Sequence, residues 1–129
     1  MAFAKRPKDW GYRLPKKAIR SATRMALLSK LLDGETTVID DLSFSLPQTK
    51  EMAGVLIALG IKTTCLVTIA EHDVNVWKSA RNIPTLRVSP ACDLNAYDLL
   101  KQNRLLITRA ALDSLRKTDD SASSAESSN

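Results

Sequence analysis

Two cysteines, one histidine and four scattered glycines leave little material for most kinds of site chemistry. Cys65 and Cys92 match no metal-ligand spacing, and one pair cannot define a disulfide framework. Reduced thiols in a cytosol-like compartment are expected, with Cys65 in the core and Cys92 in a loop. The glycines, at 11, 34, 54 and 60, are not clustered, so no Gly-rich loop can cradle a phosphate and no G-x-x-x-x-G-K-[ST] motif is present. His72 has no second histidine to share a metal with, and no G-x-S-x-G marks a nucleophile. No apolar run approaches the roughly 18 residues that a membrane span requires, and none follows the charged N-terminus as a secretory signal would. A transit peptide would share the acid-poor start. Here Lys is as frequent as Arg, and the stretch runs straight into a folded pattern. Neither a cofactor nor a metal is expected.

Acids are missing from one region in particular. Residues 1–30 hold nine Lys/Arg against a single Asp9, a net of +8, and residues 11–30 hold no acid. Residues 31–118 carry ten bases and ten acids, which cancel, and residues 119–129 carry three acids and no base, so the chain's +5 is one block of charge. A block of this size calls for a polyanionic partner, most often nucleic acid. Otherwise the chain reads as an ordinary globular protein: 129 residues suit one modest core, with 44% hydrophobic and 26% charged residues.

The block begins with "KRPKDWGYRLPKK" (5–17), which holds six Lys/Arg and two aromatics. Pro7, Gly11 and the pre-proline Leu14 deny it a sustained period, so 1–14 reads as an extended arm. Pro15 suits the first turn of a helix over 16–33, which Gly34 ends. In that helix Ala18, Ala22, Met25, Ala26, Leu28, Leu31 and Leu32 favour one side. Arg13, Lys17, Arg20 and Arg24, spaced by four, three and four, form a stripe largely clear of it. Solvated stripes usually have acids at i±4, and this one has no acid between Gly11 and Lys30 to balance it. Lys5, Arg6, Lys8, Arg13, Lys16, Lys17, Arg20 and Arg24 are therefore the candidate phosphate contacts. Trp10 and Tyr12 either staple the arm to the body or stack on bases.

Beyond Gly34 the pattern alternates. "TTVID" (36–40), "TTCLVTIA" (63–70), "TLRVS" (85–89) and "RLLIT" (104–108) read as strands, the first of them as a buried one. Between them lie a helix from Pro47 to Gly60 and shorter ones over 74–82 and 94–103, and a closing helix covers 109–117. Continuously apolar strands alternating with helices predict an α/β fold: a mostly parallel four-stranded sheet with helices on both faces. The expected organisation is a basic arm (1–14), an α/β domain (15–117) and a disordered, Ser-rich acidic tail (118–129). A strand-end crevice with Asp40, Asp41 and His72 would be the place for an enzyme's polar groups, although solvated acids and a loop histidine are the simpler reading.

Five stretches, "RPKDWGYRLPKKAIRSATRMALLSK", "VIDDLSF", "TKEMAGVLIALGI", "SARNIPTLRVSPACDLNAYDLL" and "LLITRAALDSL", resemble in order the bacterial large-subunit ribosomal protein L-four family, over about residues 3–117. The resemblance implies an α/β domain anchored in large-subunit ribosomal RNA beside neighbouring ribosomal proteins, with an early role in assembly, in the cytoplasm. Family members carry a long basic loop toward the peptide exit tunnel. The arm is similar to the root of that loop, and the family's N-terminal half has no counterpart here. Two other classes compete with this reading: the strand-end enzyme, and an interaction module whose arm docks an acidic protein.

Overall fold

The structure, a computed structural model, describes residues 2–126. Helix α1 (Lys16–Leu32) leads into strand β1 (Thr36–Ile39), followed by α2 (Thr49–Ala58), β2 (Cys65–Ile69), α3 (Val74–Ala80) and β3 (Leu86–Pro90). A 3-10 turn (Ala91–Asp93), α4 (Ala96–Lys101), β4 (Arg104–Thr108) and α5 (Arg109–Glu126) complete the chain. The four strands form one sheet in the order β1-β4-β2-β3, and all pairings are parallel. Among the described residues, no helix is long and apolar enough to cross a membrane.

Strand side chains point alternately to the two faces, so an apolar run fills both. Cys65, Val67, Ile69 and Leu106 join Met52 and Leu56 of α2 and Val76 and Ala80 of α3 in one cluster. Leu66 and Leu105 meet Ala26 of α1 and Leu99 of α4, and Ile107 meets Ala111 of α5. Helices cover both faces, as the continuous apolar strands require.

The helix ends follow local chemistry. Gly34 and Gly60 sit at φ +68° and +69°, the left-handed conformation that closes α1 and α2. At each, an amide bonds back across the last turn: Glu35 N–H to Lys30 O at 3.1 Å and Ile61 N–H to Leu56 O at 3.0 Å. The side chains of Asp73 and Asn95 cap α3 and α4.

Three features differ from the sequence reading. First, β1 is not a fully buried strand. It pairs only with β4, Val38 is exposed, and its other residues are half-buried. A β-branched run fits an edge as well as a centre. Second, the stripe of α1 that packs inward carries Ala26, Lys30 and the half-buried Thr23 and Leu27, while Met25, Leu28, Leu31 and Leu32 stay exposed. Third, the final helix extends past Lys117 to Glu126, where a disordered tail from 118 is the sequence expectation; residues 127–129 of that tail lie outside the described residues. Along the extension, hydroxyls donate to carbonyls one turn back: Thr118 to Ser114 O at 2.9 Å, Ser121 to Thr118 O at 2.8 Å and Ser123 to Asp120 O at 2.9 Å. As its composition suggests, this stretch buries nothing among its described side chains.

Candidate nucleic-acid interface

The arm enters neither helix nor strand, and every described residue from Ala2 to Ala22 is exposed. A local turn holds it at Asp9, whose Oδ1 accepts the Gly11 N–H at 2.8 Å, so the only acid of the block is used on its own backbone. Of the two readings of Trp10 and Tyr12, the staple is not formed: the rings are 84% and 82% exposed. The Lys8 ammonium stands 4.6 Å from the Trp10 ring centroid, so a cation and a π-face are presented together.

Pro15 starts α1 with no side-chain cap, no acid occupies the first turn, and Lys16 and Lys17 stand there instead. Cations at a helix N-terminus oppose the macrodipole, so this end of α1 is electrostatically unfavourable until an anion approaches. Lys5, Arg6, Lys8, Arg13, Lys16, Lys17, Arg20 and Arg24 are all exposed on this continuous segment, and 17, 20 and 24 share one side of the helix.

Lys30 and Arg24 of the block make contacts within the fold. Lys30 is buried: its Nζ donates to Glu35 Oε2 at 2.6 Å and to the carbonyls of Gln102 at 2.7 Å and Asn103 at 3.3 Å. It is a tie between α1 and the start of β4. Arg24 meets Asp119 of α5, with Nε and Nη2 donating to one carboxylate oxygen at 3.1 and 3.0 Å. The stripe does have an acid after all, 95 residues away in sequence and beyond any i±4 search.

The strand-end crevice exists as a cleft of about 510 Å³ lined by Asp41, Glu71, His72 and Asp73. Asp40 lies outside it, paired with Arg109 at 3.6 Å, and Asp73 is committed to capping α3. Among the described residues, no group of three His, Cys, Asp or Glu is placed to hold a metal. The crevice thus brings together two of the three residues named for it, and it is acidic.

Sequence reasoning missed a second cationic site. A cleft of about 590 Å³ at the opposite ends of the strands is lined by Trp77, Arg81, Arg87 and Lys101 and by no acid. The signal was there: in two short helices an aromatic is followed four residues later by a cation, Trp77–Arg81 and Tyr97–Lys101.

Residues 1–118 match the family described as "Ribosomal protein L4/L1 family". Among curated relatives, the chain is 41% identical over 112 residues to the large ribosomal subunit protein uL4 of Symbiobacterium thermophilum, covering 87% of this chain and 54% of that protein. It is 46% identical over 112 residues to that of Rhodopirellula baltica, covering 86% and 50%. For that of Moorella thermoacetica the figure is 44% over 110 residues, covering 85% and 53%. The chain spans about half the length of these relatives and corresponds to their C-terminal portion. With the α/β fold and the exposed cationic segment in hand, the chain belongs to the ribosomal protein L4/L1 family.

Proposed function

We propose that this chain is a non-catalytic, RNA-binding constituent of the large ribosomal subunit, held in large-subunit ribosomal RNA by its arm and α1 and serving subunit assembly in the cytoplasm. The relatives are named as large-subunit proteins and not as enzymes. The observation that carries the reading is the segment 2–24, which keeps its cations exposed, has no fully buried residue and places Lys16 and Lys17 at the unfavourable end of a helix. Phosphates reverse each of these costs. Lys5, Arg6, Lys8, Arg13, Lys16, Lys17, Arg20 and Arg24 neutralise the backbone, and Trp10 and Tyr12 stack on bases. The arm (1–14), the α/β domain (15–117) and the acidic remainder (118–129) divide the work into contact, scaffold and tail. Neighbouring large-subunit proteins are the remaining partners.

The test is the salt dependence of binding to ribosomal RNA. Each neutralised phosphate contributes about −0.9 to the log–log slope on duplex and −0.7 on single strands, so about six engaged cations give a slope near −4 to −5. A flat dependence would sink the electrostatic reading, and so would absence of the chain from purified large subunits.

A further inference from the structure

The α/β body looks neutral by count, yet its charges are sorted by end. The approaches to β2, β3 and β4 carry Lys62, Arg81, Lys101 at the end of α4 and Arg104 at the start of β4, while the segments leaving β1, β2 and β3 carry Asp40, Asp41, Glu71, Asp73 and Asp93. The exceptions are Asp33 and Glu35 before β1 and Arg109 after β4, of which Glu35 pairs with Lys30 and Arg109 with Asp40. The two clefts follow suit. The one beyond the strands' C-terminal ends has acids and no Lys or Arg, and the one at their N-terminal ends has three cations and no acid.

The cations of this second cleft are also supported in place. Arg81 lies over the Trp77 ring at 5.1 Å and Lys101 over the Tyr97 ring at 5.4 Å. Arg87 leans on the buried Asp98 at 3.4 Å, and Asp98 is itself held by the Asn95 side-chain amide at 3.0 Å. Supported guanidinium and ammonium groups lose less freedom when they meet an anion than free ones do.

From this arrangement we infer that the cleft between α3, β3 and the end of α4 is a second RNA-docking site, taking an unpaired nucleotide and its flanking phosphates. Arg81, Arg87 and Lys101 contact the phosphates, and the base stacks at Trp77. The inference rests on the RNA-binding reading above and extends it to a surface separate from the arm. The cleft's volume is within the roughly 300–1,000 Å³ of ligand-sized pockets. RNA fits better than an acidic polypeptide because the cleft couples its cations to a partly exposed indole. A base uses that π-face; a carboxylate does not.

The chain has two tryptophans, so Trp10→Phe leaves Trp77 as the sole indole reporter. Titrating this variant with a short oligouridylate should quench Trp77 emission saturably. Adding Arg81→Ala and Lys101→Ala, both at exposed positions, should weaken that response about tenfold or more and make its salt slope shallower by about 1.4, two cations at 0.7 each. Near-UV circular dichroism checks that the fold is intact. Polyglutamate should leave the emission unchanged.

Unaltered Trp77 emission, in a chain that still binds the oligonucleotide and loses it when Arg13 and Arg20 are replaced, would overturn the second site and leave the arm reading standing. Quenching by polyglutamate but not by RNA would assign the cleft to an acidic protein instead. Absence of any RNA binding would remove both readings together.

Discussion

In β2 and β4 every residue except Arg104 is buried, whereas from Ala2 to Arg24 none is, although the two regions belong to one chain of ordinary composition. The sheet draws its stability from inside: Leu66, Val67 and Leu106 have no accessible surface left. The N-terminal segment draws none from inside. Its cations repel one another, its rings face water, and its helix begins with lysines where acids belong. A segment that buries so little in its own fold and carries this much uncompensated charge is what the proposed RNA contact would stabilise. The boundary between the two regimes falls inside α1, between Arg24 at the surface and Lys30 in the interior.

Reversing charge tests the outer regime most severely. Lys17→Glu, Arg20→Glu and Arg24→Glu together remove three contacts and add three repulsions, which should cost on the order of a thousandfold in affinity for ribosomal RNA. The melting curve should hardly move. Equal affinity in the triple variant would reduce the stripe to a solvated face and erase the contrast with the sheet.

The inner regime responds the other way round. Leu66→Ala, at a position with no exposure, should destabilise by about 2–5 kcal/mol in urea unfolding. Leu28→Ala, on the open side of α1, should stay within about 0.5 kcal/mol. Lys30 sharpens the boundary because it is cationic by sequence and internal by structure. Lys30→Ala deprives Glu35 and the carbonyls of Gln102 and Asn103 of their donor, which should cost about 1.5–3 kcal/mol. Its RNA affinity should be that of the parent chain. If instead Lys30→Ala binds RNA poorly and melts normally, the boundary is misplaced.

These residues also mark where the sequence was readable. All four strands and the helices between them stand close to their expected places, because each apolar run is bounded by Pro, Gly or polar residues, and in β2 and β4 burial on both faces leaves no alternation to misread. The edge position of β1 was not legible, since "TTVI" has the same composition wherever it sits. The inward stripe of α1 was missed because it is built on a threonine and a lysine, while exposed Met25, Leu28 and Leu32 carry the hydrophobic signal. The candidate contacts from Lys5 to Arg24 were visible as a run lacking acids. The Trp77–Arg81 cleft left only the aromatic–cation spacing as a trace, because a segment with ten charges of each sign conceals how the fold sorts them. Composition also made residues 118–126 look structureless, and no local rule foretells a carboxylate that docks on another helix.

Within the core, Cys65 provides a pH probe. Burial pushes its thiol up from 9.0 to about 11, an effect opposed by the backbone hydrogen bond at Leu106 and the Arg104 charge. The folded chain therefore holds this proton where the unfolded chain releases it. The stabilisation is complete below pH 9 and is lost as pH rises through about 11, by about 3 kcal/mol at about 1.4 kcal/mol per unit. Because other groups titrate there too, the measurement is a difference: unfolding free energy against pH for the parent chain and for Cys65→Ala. Identical slopes between pH 9 and 11 would show that the thiol is not sealed from water as the sheet's interior requires.

The smallest effect comes from the contact that joins the two regimes. Asp119 holds Arg24 at 3.0 Å, so the C-terminal helix occupies one cation of the surface that RNA would use. A disordered acidic tail, as the composition reads, would touch none of these cations. With this pair in place, RNA must first displace the carboxylate, and Asp119→Asn should raise affinity. Both partners are more than half exposed, which limits the pair to about 0.2–1 kcal/mol, a gain of at most about fivefold. Screening should shrink that gain as salt rises past physiological strength. A double-mutant cycle isolates the contact: in an Arg24→Ala background, Asp119→Asn should change affinity no further. A gain that persists without Arg24 would mean that Asp119 acts through the general field of the acidic helix, and that the pair itself restrains nothing.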